Sequence, residues 1–183
     1  VHLETYILHD DRSARAVIDA LVRAARRGVA VRLAVDGFGT PRIPADLARI
    51  MADSPMQLRV FRPETRRFAL DRRRLRRLHR KLVVIDRELA IVGGINLLDD
   101  LIDPNHGELD QPRLDFAVRV RGPLVGDVHD TMTRLWWRLQ AVRDVRLHRL
   151  PQAVRDLRAA SATRNAWPQD ADAGGMRAAL ELR

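Results

Sequence analysis

An α/β fold is the class this sequence predicts, and three observations predict it. A strand–helix–strand order opens the chain, two runs of β-branched residues bracket a two-residue turn in its middle, and a long amphipathic helix comes after the last alternating segment. Strand, helix and strand in that order are the unit of a parallel sheet with a right-handed crossover.

"VHLETYIL", residues 1–8, is rich in β-formers and reads as a strand. In "DDRSARAVIDALVRAARRG", Ser13 is placed to cap a helix, Val17, Leu21, Ala24 and Ala25 recur at helical spacing, and Gly28 stops it. "VAVRLAVDG", 29–37, is a short apolar run closed by a turn signal, the pattern of a buried strand. Residues 44–52 predict a short helix and "MQLRVF", 56–61, a third strand. "RPETRRFALDRRRLRRLHR" carries a dense arginine run with few apolar positions, and is expected as a loop or an exposed helix. "KLVVID" and "ELAIVGG" are two strands around a tight turn at Asp86–Arg87. "INLLDDLI" is expected to be helical and "DPNHGELDQP" to be loop. "RLDFAVRVRGP" alternates into a further strand. Residues 124–142 form the longest amphipathic helix, with Val128, Met132, Leu135 and Leu139 on one face. Its Trp136–Trp137 pair is expected to put one ring in the core, membrane anchoring being the other use of such a pair. Past residue 146 the pattern weakens, and "SATRNAWPQDADAGG" has the composition of a linker. The compact domain is therefore placed at 1–145 and a helical or linker tail at 146–183.

Hydrophobic residues make up 46% of the 183, enough for one sizeable core, and aromatics only 4%, so that core must be built from Leu, Val, Ile and Ala. There is no cysteine, which excludes disulfides and thiolate metal sites. No apolar run approaches the ~20 residues that span a bilayer, and no signal-peptide pattern is present. The net charge of +9 predicts attraction to polyanions, either nucleic acid or the anionic face of a membrane.

The chemistry concentrates between "RLHRKLVVID" and the glycine pair that ends the next strand. Lys81 is the only lysine among 33 basic residues, and it stands two positions after His79. On a strand that spacing points both side chains to one face. An imidazole beside an ammonium suits a tetrahedral anion: the ring can attack phosphorus while the cation neutralises the phosphoryl oxygens. A lysine serves there as a compact point charge, where the planar fork of arginine would occupy the site differently. Gly93 and Gly94 end the second strand and let the backbone approach an anion, a helix after them could aim amides at it, and Asn96 adds a neutral donor. His2, His9, His106, His129 and His148 have no companion at catalytic or metal spacing, and surface or capping roles are expected for them. Gly37 and Gly39 in "DGFGT" read as a turn, since no lysine comes after them as in a phosphate loop.

"HRKLVVIDRELAIVGGIN" reads as H-x-K-x4-D-x6-G-G-x-N and resembles the HKD signature of the phospholipase D superfamily. Where that family usually has serine after the first glycine, this chain has Gly94. "LETYILHDDRSARAVIDALVRAARRGVAVRLAVDGFGT" and "LDFAVRVRGPLV" resemble the N-terminal half of bacterial cardiolipin synthases, so the likeness covers about residues 1–145. The resemblance implies a mixed central sheet flanked by helices, one phospholipase D-like half-domain. It implies a two-step reaction through a covalent phosphohistidine, with no metal or other cofactor. His79 would be the nucleophile or the general acid, with Lys81 and Asn96 on the phosphoryl oxygens beside Gly93 and Gly94. Asp86 would brace the motif, and Asp115 would be a buried acid that orients the histidine. Glu4 falls in a similar family segment, with a surface carboxylate as the competing reading.

The superfamily site needs two such motifs facing each other, one histidine attacking and the other protonating the leaving alkoxide. With one lysine this chain has one motif. It is therefore expected to be the N-terminal half of a two-motif phosphatidyltransferase acting on phosphatidylglycerol, peripheral on the cytoplasmic face of a bacterial inner membrane. The alternative is a homodimeric single-motif phosphodiesterase or nuclease whose basic run holds nucleic-acid phosphates. A non-catalytic binding module is the third reading.

Overall fold

A computed structural model describes residues 1–63 and 77–163. The arginine run beyond Pro63, with Arg72, Arg73, Arg74 and Arg76, and the linker-like segment beyond Thr163 lie outside the described residues. Contacts divide the chain into two compact units, Val1–Val83 with Val92–Val118, and Val84–Ile91 with the described residues from Arg119 onward.

A mixed sheet organises the fold. Its strands are β1 (His2–Thr5), β2 (Arg32–Asp36), β3 (Gln57–Phe61), β4 (Lys81–Ile85), β5 (Leu89–Gly93) and β8 (Ala117–Arg121). They lie in the order β3-β2-β1-β4-β5-β8. The first three are parallel, with Leu3 opposite Leu33 and Leu33 opposite Leu58. Helix α1 (Arg12–Arg26) is the crossover between β1 and β2, and α2 (Ala45–Ala52) the one between β2 and β3. This is the expected α/β class with its mixed sheet.

In the first unit, α1 lays Ala14, Ile18, Leu21, Val22 and Ala25 on Leu3, Leu33 and Val35, and α2 adds Leu47 and Met51. Ile18, Leu33, Val35 and Leu47 have no exposure at all, and each such side chain contributes about 1.5–3 kcal/mol. The cap of α1 differs from expectation. Asp11, not Ser13, is the N-cap, its Oδ1 accepting from the Ala14 amide at 2.9 Å, while Ser13 donates to Asp99. Gly28 ends the helix as expected, at φ 89.

Residues 95–102 are not helical. Leu97 pairs with Leu8 in a parallel bridge, its amide donating to Ile7 and its carbonyl accepting from His9, and Asp99 accepts from the Leu101 amide. Those long-range partners take the groups a helix would have used. The segment expected as plain loop holds a small hairpin, β6 (Ile102–Asp103) against β7 (Gly107–Glu108). His2 is buried, against the surface or capping role expected for it, and Glu4 is buried too, which removes the surface-carboxylate reading and leaves the other.

In the second unit, α3 (Leu124–Arg146) runs longer than predicted and buries Val125, Val128, Met132 and Trp136. Trp136 is therefore the core member of the tryptophan pair, and Leu135 and Leu139 stand only partly buried. Helix α4 (Leu150–Ala162), with a proline in its first turn, packs on α3 and buries Ala153 and Ala160. Among the described residues no helix is long and apolar enough to cross a membrane.

Candidate active site

The site lies where β1 and β2 end and β4 begins, all within the first unit. Leu78 is buried and its neighbours alternate outward, so His79 is exposed while Lys81, the first residue of β4, is only 8% exposed. The Lys81 ammonium donates to the His79 carbonyl at 2.9 Å and stands 3.4 Å from His79 Nε2. An ammonium can only donate, so Nε2 faces it as the acceptor and the ring proton belongs on Nδ1. The nitrogen beside the cation is thus the unprotonated one, as nucleophilic attack requires.

Tyr6 forms the wall of the site. Its ring packs on the imidazole at 4.8 Å and lies 5.3 Å from the Lys81 ammonium. A ring face attracts a cation and excludes water from one side of it. Burial and Lys81 push the His79 imidazole below its ordinary value, while Asp36 raises it. Burial likewise lowers the Lys81 ammonium, and Asp115 opposes that. The downward shift at His79 favours a neutral, nucleophilic imidazole near neutral pH.

Asn96 accepts from the Ile7 amide through Oδ1 at 3.0 Å. That bond fixes which end of the amide faces which way and leaves the NH₂ group as the donor the sequence predicted. The glycines do different work from that expected. The Gly94 amide donates to the Phe116 carbonyl at 2.9 Å, so it is spent within the protein, and the residues directly after it form no helix that could aim amides at an anion. A Cβ on Gly93 would run into Phe116 and Ala117, and one on Gly94 into the Asp115 carboxylate. Both are glycine because another segment crosses there in contact.

Asp115 is exposed just ahead of β8, with Oδ1 accepting from the Phe116 amide. It is not the buried orienting acid expected for His79: its charge acts on Lys81. Asp86 belongs to the second unit, exposed in the turn after β4. It and Arg87 have φ 53 and 59, the two left-handed positions of a tight hairpin turn that aspartate tolerates. Among the described residues no three His, Asp or Glu side chains converge as a metal site would need.

A family model described as "Cardiolipin synthase, PLD-like domain" matches residues 1–108, which hold every element of this cluster except Asp115. The chain belongs to that family. Cardiolipin synthase B of Salmonella typhimurium is 34% identical over 145 residues, covering 74% of this chain and 34% of the relative. Cardiolipin synthase C of Escherichia coli is 36% identical over 157 residues, covering 78% of this chain and 32% of its own length. Cardiolipin synthase A of Pseudomonas putida is 31% identical over 138 residues, covering 75% and 28%. The chain spans about a third of the length of the curated relatives it matches.

Two contributors escape sequence reasoning: Tyr6 reads only as part of a strand, and Asp36 only as the start of a turn. The one local signal was an aspartate ending a buried strand directly before Gly37 and Gly39.

Proposed function

We propose that this chain supplies one half of a phosphatidyl-transfer site. His79 Nε2 attacks the phosphorus of a glycerophospholipid, the N–P bond forms, and the P–O bond to the departing alkoxide breaks. Lys81 and the Asn96 NH₂ hold the phosphoryl oxygens as charge builds on them. The alkoxide takes its proton from a second histidine, supplied by a second motif. The hydroxyl of phosphatidylglycerol then gives its proton to that second histidine, its oxygen bonds to phosphorus, and the N–P bond to His79 breaks to give cardiolipin. The single observation that carries this reading is the exposed imidazole whose Nε2 faces a buried ammonium at 3.4 Å. The names of the relatives supply the substrate class. The arginine-rich stretch ahead of His79 would lie against anionic head groups, each basic residue contributing about 1 kcal/mol near the surface. This half of the site would work against the cytoplasmic face of the inner membrane.

A second reading is favoured by the net charge of +9 together with the lone motif: a homodimeric phosphodiesterase acting on nucleic acid. The two separate in one experiment, hydrolysis of a generic phosphodiester over a protein concentration series with His79→Ala as control. The half-enzyme predicts no multiple turnover at any concentration from folded protein. His79-dependent activity rising as the square of concentration transfers the assignment to the dimer.

A further inference from the structure

Asp36 ends β2 with 1% exposure. Its Oδ1 accepts from the Phe38 and Gly39 amides at 2.8 and 3.1 Å, and its Oδ2 accepts from the Leu78 amide at 2.6 Å. Leu78 directly precedes His79, so the last bond fixes the backbone from which the imidazole hangs. The same loop holds the ring that His79 packs on. Thr40 Oγ1 donates to the Tyr6 carbonyl at 3.2 Å and accepts from the Leu8 amide at 2.9 Å. A Cβ on Gly39 would strike the Tyr6 ring, so glycine there lets the loop lie directly against it.

We propose that Asp36 is a positioning residue for His79, clamping the backbone before it and seating the imidazole against Tyr6. The inference rests on the reading of His79 as the reacting group and adds to it. Asp36 acts on the His79 ring in the direction that favours its cationic form, and a phosphorylated imidazole is cationic. The charged and titratable groups around the ring are Asp36 from β2, Tyr6 from the end of β1, and Lys81 from β4. Arg77 acts on the Tyr6 hydroxyl, and Asp115 acts on Lys81. Lys81 disfavours the protonated ring and Asp36 favours it, so the two have opposite effects on one imidazole.

The test is side-chain NMR of the full chain, with the His79 signal identified by its loss in His79→Ala. Asp36→Asn lowers the His79 pKa and Lys81→Met raises it. An Asp36 that only holds the fold together would change the melting temperature and leave the titration where it was. Folded Asp36→Asn protein whose His79 titrates at or above the parent value overturns the proposal. Where that variant does not fold, the parent protein decides. A Leu78 amide protected from exchange supports the clamp, and one exchanging at the rate of an open loop removes it. None of these readouts needs turnover. An inactive protein with the expected order of titrations would remove the catalytic reading and leave the role of Asp36 standing.

Discussion

Arg80 and Lys81 are adjacent, both basic and both drawn in from water, yet they are put to different uses. The Arg80 guanidinium forks onto Glu4, Nε donating to Oε2 and Nη2 to Oε1 at 3.1 Å. The Glu4 side chain has no exposure, and burial pushes its carboxyl up to about 7 while Arg80 pulls it back. Lys81 meets a backbone carbonyl, an imidazole nitrogen and a ring face, none of which consumes its charge. A planar fork matches one carboxylate and is filled by it, whereas an ammonium keeps a rotatable donor for an incoming tetrahedral anion. The one lysine of the chain stands where the charge must stay available, and its arginine neighbour stands where the charge is spent on the fold.

Exchanging the two chemistries gives the largest expected effect. Lys81→Arg lowers the rate of His79 phosphorylation by about 100-fold or more, with the melting temperature little changed. A variant that keeps the parent rate would erase the distinction between the two residues. Next in size is the pH dependence that comes from Glu4. Its carboxyl titrates at about 7 in the fold against 4.5 as the ordinary value, so the folded state binds the proton more tightly. The stability it contributes is present below pH 4.5 and is lost as pH rises through about 7. Melting curves over that range should show the decline in the parent and a flatter profile in Glu4→Gln. The smallest effect belongs to Gly94. In Gly94→Ala the new methyl displaces the exposed Asp115 carboxylate, which can swing outward, so stability falls by about 1 kcal/mol or less. Lys81 then loses its supporting anion, and its pKa drops further below 10.5. Because Lys81 is the only lysine, one side-chain signal reports that titration without assignment.

The architecture was legible wherever pattern is local. The period of α1, the apolar run of β2, and the two β-branched runs around Asp86–Arg87 are each set by residues a few positions apart. Residues 95–102 were misread because their pattern is locally helical, while their backbone bonds go to residues 7–9, nearly ninety positions away. His79, Lys81 and Asn96 were legible because one short motif carries all three. Asp36, Tyr6 and Arg80 were not, since their roles exist only once three strand ends meet. Asp115 was named by the family resemblance as a buried acid on His79, but it is exposed, and its charge acts on Lys81. Glu4 shows the same limit, a carboxylate whose burial depends on an arginine 76 residues later.

The measurement that bears most directly on the half-site uses a phosphodiester with two nitrophenyl groups, whose leaving group departs without needing a proton. His79 then needs no second histidine for the first step: the N–P bond forms and nitrophenolate leaves with its electron pair. The account predicts a burst of one nitrophenolate per folded chain, absent in His79→Ala and slowed in Lys81→Arg, with the label retained on His79. No burst from folded protein, or a burst that survives His79→Ala, would contradict it.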